Sequence, residues 1–291
     1  MSEDTYKSIT TEERYRFLRR ELMPLFGTGE ATAMARLIFR ALKGWDTTDL
    51  VVHAADVLSP FILERIDEIV RRLQTGEPLQ YILGEGRFYG MTLKVDRSTL
   101  IPRPETEELV EAIAERYGSL SDLRVLDVGT GSGAIAIALS RNLRFAEVTA
   151  LDVSPAALKV AEENARTLHA RIRFVEADIF DWIPAAEEYD IIVSNPPYIC
   201  DKEKKDMERN VLDFEPAGAL FVPDDDPLRF YRRIAEIGLR GLCKGGMLYF
   251  EINPLYASEL KLMLTDMGYE SVEVWKDLSG KDRFASACLS C

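Results

Sequence analysis

The sequence predicts an α/β fold: a seven-stranded, mostly parallel sheet with its last strand antiparallel, preceded by a small helical bundle and a β-hairpin linker. Three observations predict it. Short apolar runs alternate with amphipathic stretches through the second half of the chain. Residues 1–84 carry only helical periodicity. The last two apolar runs are joined by a segment too short for a crossover helix.

Thr10 and Glu13 have capping-box spacing for a helix carrying Tyr15, Phe17, Leu18 and Leu22. A second periodic stretch, 31–42, places Met34, Leu37, Ile38 and Leu42 on one face before Gly44 interrupts it. Ser59-Pro60 is a helix start, and Ile62, Ile66, Ile69, Val70 and Leu73 follow at helical spacing as far as Thr75-Gly76. These helices fill a first domain, 1–84. Phe88, Tyr89, Met91, Leu93 and Val95 then partly alternate, as in a hairpin, within a linker over 85–104. The prolines of Ile101-Pro102-Arg103-Pro104-Glu105 fix an extended connection. A helix starting near Glu105 carries Leu109, Ala112 and Ile113 and opens a domain over 105–291. Strands are expected at 124–128, 147–151, 172–175, 191–194 and 246–252, with helices between them, notably 155–168 and 228–239. The runs 271–275 and 284–288 flank Asp277-Leu278-Ser279-Gly280 and must pair antiparallel.

A chain of 291 residues accommodates one large domain and a smaller one. Its net charge of -13 repels phosphate backbones, which argues against stable nucleic-acid binding. Arg14, Arg16, Arg19 and Arg20 are interleaved with Glu12, Glu13 and Glu21, the pattern of a solvated helix face. The four cysteines, Cys200, Cys243, Cys288 and Cys291, are scattered, which fits a reducing compartment better than a disulfide scaffold. The two histidines, His53 and His169, belong to no cluster with metal-ligand spacing, so no metal is expected. MSEDTYKSITTEERY has no apolar signal core, and no apolar run reaches membrane-spanning length. A cytoplasmic monomer with no membrane association is expected.

Val125-Leu126-Asp127-Val128-Gly129-Thr130-Gly131-Ser132-Gly133 reads as a strand entering a glycine-rich turn, then a helix. The third glycine arrives one residue early for a dinucleotide fingerprint, and no lysine follows as in a phosphate-binding loop. The next strand ends at Asp152, where a carboxylate meets ribose hydroxyls, and the third leads to Asp178, near an adenine amino group. Gly129, Thr130, Gly131, Gly133, Asp152 and Asp178 thus form a candidate nucleoside site, for either a nicotinamide dinucleotide or S-adenosylmethionine.

Ser194-Asn195-Pro196-Pro197-Tyr198, after the fourth strand, favours the second. Its prolines stiffen the loop and leave carbonyls free to accept hydrogen bonds. A planar NH2 group fits it: one hydrogen to the Asn195 side-chain oxygen, one to the Pro196 carbonyl, the π-system against Tyr198. An amide nitrogen is a poor nucleophile, and two directed acceptors can aim it at a sulfonium methyl.

At this loop the chain resembles the amino-group methyltransferases, and over nearly its whole length the HemK/PrmC-type peptide chain release factor glutamine methyltransferases. The resemblance rests on Gln80-Tyr81-Ile82-Leu83-Gly84, Phe88-Tyr89-Gly90, Ile101-Pro102-Arg103-Pro104-Glu105-Thr106-Glu107, the glycine turn, Asn195-Pro196-Pro197-Tyr198-Ile199 and Glu215-Pro216 with Ala219-Leu220. It implies a class I, Rossmann-like S-adenosylmethionine-dependent methyltransferase fold. It also implies N5-methylation of the glutamine in the Gly-Gly-Gln motif of bacterial-type release factors, with S-adenosylhomocysteine as product and a helical N-terminal domain that grips the release factor. Asn195, Pro196, Pro197 and Tyr198 would be catalytic, and Phe88, Arg103, Pro104 and Glu105 would lie near cofactor or substrate; from the residues alone, Arg103 and Glu105 are equally a linker salt bridge or a helix cap. One departure is Asn253 in Glu251-Ile252-Asn253-Pro254, where the family commonly has glycine.

Three other readings compete. An N6-adenine nucleic-acid methyltransferase needs a basic track that the acidic chain lacks. A non-catalytic adaptor has no need of the Asn195 arrangement. A dehydrogenase is opposed by the early third glycine and the antiparallel end.

Overall fold

The computed structural model describes residues 9–290. The leader reading at residues 1–8 and the thiol of Cys291 lie outside the described residues. The chain divides into two compact units, 1–84 and 85–291.

In the first unit, helix α1 (Thr11–Lys43) begins with the expected capping box between Thr10 and Glu13. Its backbone breaks at Gly27, where φ 77° and ψ 169° are not helical, so the two stretches read from the sequence flank a kink. α2 (Thr47–Val52) and α4 (Leu79–Leu83) are short helices that periodicity did not single out. α3 (Pro60–Gln74) starts where Ser59 caps the Ile62 N–H and proline occupies the first turn. Leu18, Leu22, Ile38, Phe39, Leu63, Ile66 and Leu73 close a core of their own.

The second unit opens with the hairpin β1 (Glu85–Phe88) and β2 (Met91–Lys94), then α5 (Pro104–Tyr117). Next come β3 (Arg124–Val128), α6 (Ala134–Asn142), β4 (Glu147–Asp152), α7 (Pro155–Thr167), β5 (Ile172–Glu176) and β6 (Tyr189–Ser194). A short excursion follows: β7 (Ile199–Cys200), α8 (Arg209–Phe214) and β8 (Phe221–Val222), with β7 and β8 paired parallel. α9 (Arg229–Gly241), β9 (Leu242–Glu251), α10 (Ala257–Asp266), β10 (Tyr269–Lys276) and β11 (Asp282–Leu289) complete the unit. The seven-stranded sheet has the order β10-β11-β9-β6-β3-β4-β5. β11 alone runs against its neighbours, as the short turn before it requires.

Strand alternation explains the two-sided burial. Val125, Ile191 and Tyr249 pack with Leu109 and Ile113 of α5 and Ile135 of α6. Their sequence neighbours Leu126, Ile192 and Phe250 pack on the other face with Tyr231 and Ile234 of α9 and Leu260 of α10. With helices on both faces, the open ends of the strands are where a small molecule can enter. The strand order reverses at β3, which leaves a crevice at the carboxyl ends of β3, β4 and β6.

Candidate active site

A cavity of about 640 Å³ fills that crevice. Its volume lies within the roughly 300–1,000 Å³ usual for small-molecule sites. Phe88, Arg103, Gly129, Thr130, Gly131, Asp152, Asp178, Asn195, Pro196 and Pro197, all singled out from the sequence, line it together. Pro104, Glu105, Gly133 and Tyr198 are not among its lining residues.

The glycine turn leaves β3 with left-handed residues at Gly129 (φ 74°) and Gly131 (φ 55°), and at each an added Cβ would meet open space. Gly133 differs. It also has positive φ (82°), but a Cβ there would come within 3.1 Å of Ala161 and Ile137, so its role is close packing of α6 on α7. Beneath the turn, fully buried Asp127 accepts from Thr130 Oγ1 (2.7 Å) and the Ala136 N–H (3.1 Å). Its other oxygen has no hydrogen-bond partner among the described residues, and burial pushes its carboxyl up to about 7.

Asp152 ends β4 and accepts from the Gly131 N–H (2.8 Å) and the Ser154 N–H (2.9 Å), so it shapes the turn as well as lining the cavity. Burial raises its pKa, opposed by those backbone N–H groups. Asp178 accepts from the Phe180 N–H (2.9 Å), and Ile179, Phe180 and Phe230 supply apolar wall beside it. Open glycine backbone, a carboxylate and an apolar end fit a nucleoside with a charged tail such as S-adenosylmethionine. Among the described residues no group of three or more His, Cys, Asp or Glu could hold a metal ion.

The loop after β6 is held at both ends. Ser194 Oγ donates to the Val128 carbonyl (2.7 Å), and the Ile199 N–H donates to the Leu220 carbonyl (2.9 Å). Behind the loop lies a network whose members fall in segments singled out from the sequence but whose contacts no motif announces. Asn195 Nδ2 donates to Thr106 Oγ1 (3.2 Å), Thr106 Oγ1 donates to Glu251 Oε2 (2.6 Å), and the Tyr198 hydroxyl donates to Glu251 Oε1 (3.2 Å). Burial pushes the Glu251 carboxyl up, opposed by the Thr106 hydrogen bond, the Arg283 charge and the Tyr198 hydrogen bond. Burial also raises the Tyr198 pKa, which keeps its hydroxyl a donor.

Arg103 is ion-paired with the buried carboxylate of Glu215 and makes no side-chain cap, so its salt bridge reaches past the linker to the segment after the loop. Glu215 Oε2 also accepts from the Ile101 N–H (3.3 Å). Glu105 lies in the first turn of α5. Asn253 has an ordinary φ of -74°, so this turn needs no glycine. Its side chain accepts from the Leu255 N–H (3.0 Å) and donates to the Tyr198 carbonyl (3.1 Å), which adds a tether to the loop.

Two family models match the chain: the PrmC N-terminal domain over residues 21–84 and the methyltransferase small domain over residues 104–215. The chain is 45% identical over 273 residues to a release factor glutamine methyltransferase of Bacteroides thetaiotaomicron, covering 93% of this chain and 97% of that one. It is 42% identical to a protein of the same name from Flavobacterium psychrophilum, covering 90% and 93%. Among solved structures, a Pyrococcus furiosus methyltransferase superposes with a TM-score of 0.52 at 16% identity, covering 76% of this chain and 98% of that one. At that identity the superposition speaks for the fold alone.

Proposed function

The chain belongs to the release factor glutamine methyltransferase family, and on that premise we propose that it methylates N5 of the glutamine in the Gly-Gly-Gln motif of bacterial-type release factors. S-adenosylmethionine supplies the methyl group on a sulfonium and leaves as S-adenosylhomocysteine. Gly129, Thr130 and Gly131 open the cavity to its tail, Asp152 takes the ribose hydroxyls, and Asp178 with its apolar neighbours takes the adenine.

One observation carries the reading. Asn195 lines the cavity at the end of β6 with its NH2 group engaged by Thr106. Its carbonyl oxygen is thereby left to accept from an incoming amide, and the Pro196 carbonyl takes the second hydrogen. Two acceptors orient the nitrogen towards the methyl and gain strength as positive charge develops on it, and the methylated nitrogen then loses one of its protons to solvent. Tyr198, tethered through Glu251, keeps an aromatic ring beside the loop. Arg103, Pro104 and Glu105 stand on the substrate side, and the helical first unit grips the release factor. In this reading the enzyme works in the cytoplasm as a monomer, without stable nucleic-acid binding. No metal takes part, so turnover is expected to survive excess chelator. No helix among the described residues is long and apolar enough to cross a membrane.

The test is transfer of labelled methyl from S-adenosylmethionine to purified release factor, with a Gln-to-Ala motif variant and duplex DNA in parallel. Label on the native motif alone is expected. Label on DNA would put N6-adenine methylation in its place.

A further inference from the structure

An asparagine side chain presents either a donor or an acceptor to its ligand, depending on which way its amide is turned. In this site a reversed amide would oppose NH2 to the substrate's NH2, so something must fix its direction. The Thr106 hydroxyl has a single proton and sits 2.6 Å from Glu251 Oε2. An ionised carboxylate only accepts. The other oxygen of Glu251 takes the Tyr198 hydroxyl (3.2 Å), so two hydroxyls converge on one carboxylate. With its proton given to Glu251, Thr106 offers only lone pairs towards Asn195, 3.2 Å away.

We propose that Glu251, acting through Thr106, fixes the Asn195 amide with Nδ2 inward and Oδ1 towards the methyl acceptor. Thr106 and Glu251 are assigned as positioning residues: Thr106 lines the cavity beside Asn195, Glu251 does not, and both act through the Asn195 amide. The inference rests on the function proposed above. It accounts for a carboxylate only 2% exposed beneath the loop, a costly group to bury unless its partners compensate. Burial and the Glu105 charge raise the Glu251 pKa, while the Thr106 hydrogen bond, the Arg283 charge and the Tyr198 hydrogen bond favour the ionised form, and Asp277 in turn holds Arg283 (3.2 Å). Glu251 also ends β9, whose pairing to β6 fixes it relative to the loop.

The experiment compares the wild type with Thr106→Val and Thr106→Ser, following kcat, KM for release factor and calorimetric Kd for S-adenosylmethionine. In parallel, side-chain NH2 exchange of Asn195 is read by 15N NMR and assigned from Asn195→Ala. Valine should lower kcat about 10- to 100-fold, the scale of losing one oriented polar contact. KM and cofactor Kd should stay within about twofold, and serine should restore kcat. The Asn195 NH2 protons should exchange slowly in the wild type and in Thr106→Ser, and rapidly in Thr106→Val. Full turnover in Thr106→Val, or equal loss in valine and serine, overturns the inference. Rapid exchange of the Asn195 NH2 in the wild type does so even if Thr106→Val does not fold. Absence of release-factor methylation by the wild type would instead sink the proposed function, and the exchange measurement would still judge the positioning.

Discussion

Gly131 and Gly133 are two residues apart and both left-handed, yet alanine should damage them in opposite ways. At either position an L side chain in this backbone region costs about 1–2 kcal/mol. Restricting the unfolded chain returns about 0.4–1 kcal/mol. For Gly131→Ala, whose Cβ meets nothing within 4 Å, the net loss is therefore about 1 kcal/mol. For Gly133→Ala the new methyl is held 3.1 Å from both Ala161 Cβ and Ile137 Cδ1. Overpacking adds about 1–3 kcal/mol, for a total of about 2–4 kcal/mol. Binding should reverse the order. The Gly131 methyl enters the cavity and should weaken S-adenosylmethionine by at least about tenfold, or about 1.4 kcal/mol. The Gly133 variant, once folded, should bind nearly as the wild type. Urea denaturation without cofactor gives the first comparison and calorimetric titration the second. Equal stability of the two variants, or undiminished affinity in Gly131→Ala, would refute the division of labour between these glycines.

Asn195→Ala should lower turnover about 10²- to 10³-fold with little change in cofactor Kd; equal losses in both would make it a pocket support rather than a transition-state contact. Asp152→Ala removes a charged acceptor worth about 1.5–3 kcal/mol and should weaken cofactor binding about 10- to 100-fold, with unchanged affinity contradicting the ribose assignment. Asp127 titrates near 7 in the folded state against an ordinary 3.8, so the folded protein keeps a proton that the unfolded chain has released. Its contribution to stability is complete below about pH 4 and is lost as pH rises through about 7. The stability difference between wild type and Asp127→Asn should shift by up to about 4 kcal/mol over that window, and a flat difference in paired urea titrations would count against the buried carboxyl.

The strands of the sheet were legible because each is a short apolar run bounded by turn residues. That Gly129, Asp152, Asp178 and Asn195 line one cavity was legible because each ends or closely follows a strand, where the topology of parallel sheets opens a crevice. α2 and α4 were not, since five or six residues give periodicity too little length to register. The Thr106–Glu251 contact was invisible for another reason: its members are 145 residues apart, and each looks ordinary locally, one in a helical turn and one at a strand end. The sole trace of Arg103 and Glu215 acting together was that both fall in segments resembling the same family. The glycine turn announced itself as a unit, but the separate tasks of Gly131 and Gly133 depend on α7, which packs against only one of them.

The placement of β11 couples the edge of the sheet to the charge balance of the site. β10 precedes β11 in the sequence yet lies outside it at the sheet edge, so among the described residues β11 is its only strand neighbour and separates it from β9. β11 thereby covers the β9 edge, which a sheet ending there would leave with unpaired hydrogen-bonding groups. Arg283 arrives on that strand, its neighbour Phe284 in register with Glu251. The strand that covers the β9 edge is thus also the one that brings a cation to the carboxylate beneath the Asn195 loop, so a single element serves both the sheet and the charge balance of the cavity.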